Sequence, residues 1–178
     1  MKHFRGFRIK KEYGLILVMI TLLVVSHIYG CREEASDKIR TVSIKPDHEV
    51  RFRKSGEVTF FGKNGKRIVK IDVEIPRTLR EISAGLMFRR SMDETQGMLF
   101  GHDKFKARFF WMKNTYIPLD LIFADKTMKI IEIGKTTKPL SEELIPIPSG
   151  TQYTIEVNGG FCDRYGIRAG DKIVIQPT

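Results

Sequence analysis

The residues best placed to do chemistry lie between Phe110 and Asp120, where Trp111, Lys113, Asn114, Thr115 and Asp120 gather around one break at Pro118. An indole flanked by amide, ammonium, hydroxyl and carboxylate groups is the composition of a small-molecule or sugar site, since flat ligands stack on Trp and hydrogen-bond to its polar neighbours. If 109–114 is a strand, alternation puts Trp111 and Lys113 on one face and Met112 and Asn114 on the other. Lys113 then lies beside the indole. Two bland readings compete. Trp111 and Met112 are residue types that usually fill cores, and Lys113, Asn114 and Asp120 could pin the Pro118 turn as a structural network, with Asp120 and Lys113 as an ion pair.

Further acids are Glu74 and Glu156, each inside a strand-like stretch, and Glu156 joins the ligand-binding candidates. Hydrolysis of a glycan would need two of these carboxyls about 5–10 Å apart in a cleft. The usual catalytic signatures are missing: no HExxH, Cys-x-x-Cys, Gly-x-Ser-x-Gly, Walker loop or dinucleotide fingerprint occurs, so neither a cofactor nor a metal is implied. His48 and His102 are far apart in sequence. Cys162 is expected to be a buried small hydrophobe.

Cys31 has a different character. Lys2, Arg5, Arg8, Lys10 and Lys11 precede the apolar run Gly14–Val25, the pattern of a secretory signal. That run is shorter than the ~20 residues a spanning helix needs. It is followed by Ile28-Tyr29-Gly30-Cys31, which resembles a bacterial lipobox, with Tyr29 bulkier than usual. The expectation is a signal peptide over 1–30, lipidation of Cys31, and an exported protein anchored to a membrane of the cell envelope.

Of the formal net charge of +10, the leader contributes five basic side chains against one acid. The remaining positives are scattered among acids, which disfavours a nucleic-acid partner. Residues 31–56 are polar and charge-rich and read as a tether, leaving 57–178 as one compact domain.

Within that domain most signals are strands. EVTFFG and RIVKIDVEI flank an Asn64-Gly65 turn, predicting a hairpin. Thr78-Leu79-Arg80-Glu81 matches a capping box, predicting a helix over about 78–89 with Leu79, Ile82 and Leu86 on its apolar face. GMLF, ARFFWMKN, LDLIFA and MKIIEI are strand-like, with Asp125-Lys126-Thr127 as a tight connection. TQYTIEV, a short helical turn in FCDRYGI, and DKIVIQ close the chain. The fold class expected is a β-rich α+β domain.

GLMFRRSMDETQGMLF, FWMKNTYIPLDLIFAD and IEVNGGFCDRYGIRAGDKIVI, in that order, resemble the domain of unknown function 192 family over roughly 57–177. The resemblance implies a small domain with a strongly bent, barrel-like, mostly antiparallel sheet, often exported, and supplies no activity. The functional expectation is a membrane-anchored envelope domain that binds a small molecule, glycan or protein partner without turning it over. The alternative is a small hydrolase or glycan-modifying enzyme using acids near FWMKNTYIPLD, with Asp120 working alongside Lys113 or Glu156.

Overall fold

The computed structural model describes residues 51–102 and 109–178. The leader, Cys31 and most of the tether fall outside the described residues. Among those described, no helix is long and apolar enough to cross a membrane.

Among the described residues nine strands and two short helices follow one another as β1 (Gly56–Phe61), β2 (Arg67–Glu74), α1 (Leu79–Ala84), β3 (Gln96–Gly101), β4 (Phe109–Phe110), β5 (Leu119–Ala124), β6 (Ile130–Gly134), β7 (Ile145–Pro146), β8 (Tyr153–Asn158), α2 (Phe161–Tyr165) and β9 (Lys172–Pro177). Seven strands form one sheet in the order β6-β5-β8-β3-β2-β1-β9, and β4 pairs with β7 separately. The β1–β2 hairpin turns at the predicted Asn64-Gly65, with Gly65 at φ 76°. Every pair in the large sheet is antiparallel except β2–β3. α1 lies in the connection between those two, as a parallel pair requires a crossover rather than a tight turn.

The sheet is strongly bent but does not close into a barrel. Its edges meet at one end only, where Lys129 bridges Lys172, Ile130 N donates to Asp171 O at 2.8 Å and Ile173 N donates to Met128 O at 2.9 Å. Alternation along the strands then makes two cores. Val58, Phe60, Ile71, Val73, Leu99, Ile122, Ile155, Val157 and Ile173 fill one face, sealed by Phe161 and Cys162 of α2. Leu86, Met98, Phe100, Met112, Ile117 and Leu119 form a smaller second cluster. Leucine and isoleucine runs such as β5, buried at every position, are strands covered on both faces.

Two expected elements are shorter than the sequence suggested. The capping box is present, with Glu81 N donating to Thr78 Oγ1 at 3.2 Å and Thr78 N donating to the Glu81 carboxylate at 3.0 Å. The helix nevertheless stops at Ala84 because Gly85 adopts φ 47°, which reverses the chain. Leu79 is therefore 69% exposed, while Ile82 and Leu86 do reach the second core. Among the described residues of ARFFWMKN, 109–114, only Phe109–Phe110 is strand, since Met112 O accepts from Thr115 N at 3.0 Å and Asn114 turns to φ 57°.

Candidate functional site

The second cluster is incompletely filled. It surrounds a cavity of about 250 Å³ between the β3–β8–β5 part of the sheet, the α1–Met87 segment, and Phe109, Phe110 and Trp111. That is the volume of about eight waters at roughly 30 Å³ each.

Glu156 lines this cavity. Register places it between Met98 of β3 and Leu121 of β5, so its side chain shares their face of the sheet. Gly97 lets β3 come this close: a Cβ there would stand 2.6 Å from the Glu156 carbonyl oxygen. Glu156 is 5% exposed, and no donor among the described residues bonds to its carboxyl. Burial alone pushes this acid up to about 8, so it keeps its proton at neutral pH.

Two residues along β8 on the same face, Thr154 Oγ1 lies 2.8 Å from His102 Nε2. The His102 ring meets Phe110 edge-on at 6.1 Å, and Phe110 meets Phe100 edge-on at 5.3 Å. Leu86, Met87 and Leu119 complete apolar walls, and Thr115 adds a hydroxyl. Trp111 lines the cavity at 41% exposure, with Lys113 Nζ 5.2 Å from its ring centroid.

The structure thus divides the predicted residues. Trp111, Thr115 and Glu156 come together at the cavity. Lys113 does lie beside the indole, but its ion pair is with Glu142 at 3.3 Å, not with Asp120. Asn114 serves the turn: its carbonyl accepts from Phe88 N at 2.8 Å. Met112 is core, as expected of the type, whereas Trp111 is not.

Asp120 faces the other side of the sheet, opposite Val157. Fully buried, it accepts from Thr136 N at 2.8 Å, Gly160 N at 3.1 Å and Cys162 N at 2.9 Å. It pins α2 and the β6–β7 connection to the sheet. The free Cys162 thiol is buried beside it, and desolvation raises its pKa. Glu74 is engaged by Arg89, which is itself buried, and lines a separate shallow groove. Three carboxyls prominent in the sequence therefore do not converge.

His102 and Thr154 are site residues that the sequence reading missed. The signal was available only as pairing: Phe100 opposite Thr154 in the β3–β8 register brings the end of β3 to the same floor as Glu156. Among the described residues no group of three or more His, Cys, Asp or Glu side chains is placed to hold a metal.

Comparison with known families settles the relationship first seen in the motifs. The model of DUF192, described as an uncharacterised ACR, matches residues 60–175. The chain belongs to the domain of unknown function 192 family. Its fold is similar to that of a protein of unknown function from Novosphingobium aromaticivorans, with a TM-score of 0.64 and 35% identity, covering 71% of this chain and 89% of that one. It is also similar to a candidate transcription regulator from Sinorhizobium meliloti, with a TM-score of 0.62 and 32% identity, covering 71% and 97% of the two chains. No curated protein matches the sequence.

Proposed function

We propose that this DUF192 chain is an exported, membrane-anchored domain of the cell envelope that binds, without turning over, a small and largely apolar molecule in the Glu156 cavity. The observation that carries this reading is a buried carboxyl with no hydrogen-bond partner among the described residues, at the floor of an aromatic-lined cavity. Buried polar groups normally find hydrogen bonds, so one left open toward a cavity is a group that a ligand can satisfy. The volume suits a small molecule and not an oligosaccharide.

The hydrolase alternative needs a second acid in the same cleft, and the nearest acids from the sequence are committed elsewhere, Glu74 to Arg89 and Asp120 to three backbone amides. A nucleic-acid role, suggested by the name of the S. meliloti relative, would want unpaired basic side chains. Of the described basic side chains six, Lys54, Lys70, Arg89, Lys113, Lys135 and Arg164, pair with carboxylates, and along the sequence the positives are interspersed with acids.

Trp111 is the chain's single tryptophan, so its fluorescence reports on the cavity directly. Titrating the full chain in detergent with six-carbon alcohols and amines is expected to give a saturable emission change. A strictly linear response with every probe would end the binding reading. For the anchor, Cys31→Ser is expected to move the protein from the membrane to the soluble fraction, and retention in the membrane would refute lipidation.

A further inference from the structure

Among the described residues Glu156 is the one carboxyl lining the cavity, and the rings of Phe100, Phe109, Phe110 and Trp111 stand around it. We propose that the cavity's ligand is a small amine, whose ammonium group pairs with the Glu156 carboxylate while its apolar body packs against those rings. The proposal rests on the binding reading above and names the ligand's chemistry.

Three steps lead to it. A glutamate offers what a glutamine or serine in the same place could not, a negative charge, and the complement of a negative charge is a cation. Charge-assisted hydrogen bonds are roughly twice as strong as neutral ones, and the gain grows where water is excluded. Aromatic faces attract cations and tolerate the alkyl groups attached to them, so carboxylate and rings favour the same ligand.

Among the described residues nothing already fills the role. From β3 the other titratable group at the cavity is His102, which is engaged with Thr154. On the far side of Met98, Arg89 is paired with Glu74 of β2. From the segment after β4, Lys113 lies over the Trp111 ring and pairs with Glu142. β5 contributes the apolar Leu119.

The step balances in protons. In the free protein the carboxyl holds its proton near neutral pH; an arriving ammonium displaces it, so one proton is released to solvent for each amine bound. Affinity for an amine must then rise as pH rises up to about 8, where Glu156 is ionised before binding, and level off above. A neutral alcohol, which accepts the carboxyl's proton in a hydrogen bond, binds with an affinity that is level below about pH 8 and falls above it.

The test is n-hexylamine against n-hexanol, followed by Trp111 emission on the full chain in detergent from pH 6 to 9. Expected are tighter binding of the amine than of the alcohol by at least about tenfold at pH 8.5, and an amine affinity that climbs by up to about tenfold per pH unit below pH 8. Glu156→Gln should abolish both the preference and the slope. If hexanol binds as well as hexylamine, the amine proposal is overturned while the binding reading stands. If neither binds, both fall. A pH slope that survives in Glu156→Gln belongs to His102 and overturns the assignment to Glu156.

Discussion

Asp120→Ala is expected to destabilise the domain by about 3–5 kcal/mol, a large part of the roughly 5–15 kcal/mol that holds a typical domain folded. Three backbone donors, on Thr136, Gly160 and Cys162, converge on this one carboxylate. None of them is fully solvated, and removing their acceptor leaves each to lose its bond at about 1–3 kcal/mol, less where water can enter. α2 is only five residues long and has no side-chain cap, so these bonds are much of what fixes it. Urea denaturation should show a lower midpoint with an unchanged slope, and Asp120→Asn should recover part of the loss by keeping an oxygen in place. An unfolding free energy within about 1 kcal/mol of wild type would show that the amides find other partners. Lys113→Ala is the contrast: its ion pair with Glu142 is solvent-exposed, and the expected change is within about 0.5 kcal/mol.

The contrast explains what the sequence could and could not reveal. Lys113 and Asp120 stand seven residues apart in one motif-like segment and read as partners. Strand alternation holds in β5, where it sends Asp120 to the face opposite Leu119 and Leu121, and fails in 109–114, where Asn114 at φ 57° breaks the strand. Local signals served well wherever the structure is local. The Asn64-Gly65 hairpin, the Thr78 capping box, the Asp125 turn and the helical turn at Phe161 are all where their residues place them.

What escaped was long-range pairing. Bringing β8 between β3 and β5 joins Glu156 to Phe100, Leu119 and His102, residues 37 to 56 positions away in the chain, and no periodicity within any one segment encodes that neighbour order. The parallel β2–β3 pair and the sheet's open edges are likewise properties of topology. Glu156 itself could be singled out as an acid in a strand. That it has no hydrogen-bond partner among the described residues, at the floor of a cavity, is a tertiary fact.

Glu156→Gln is therefore expected to stabilise the free protein increasingly as pH rises above the ordinary glutamate range. Its folded value of about 8 lies above the ordinary 4.5 of a glutamate, so between those two values the native state binds the extra proton. Stability from this group is fully present below about pH 4.5 and is lost as pH rises through 8, at up to about 1.4 kcal/mol per unit. The accumulated loss has a ceiling of roughly 5 kcal/mol. Glutamine carries no charge to strand in the cavity and escapes it.

Acids of the opposite kind set the other flank. Hydrogen bonds from Lys54 and Lys70 hold Glu57 down to about 2, and backbone and hydroxyl donors lower Glu81 and Asp125. Their contributions are present above the ordinary carboxylate range and fade as pH falls through their lowered values. Wild-type stability should consequently peak near pH 5 and decline toward pH 9, while the variant holds its plateau. Melting temperatures of the two proteins, measured without ligand, should nearly coincide at pH 5 and separate progressively above pH 6, the variant higher by several degrees at pH 9. Parallel curves across that range would mean that the Glu156 carboxyl is solvated in solution, and the cavity would lose the feature that makes it a site.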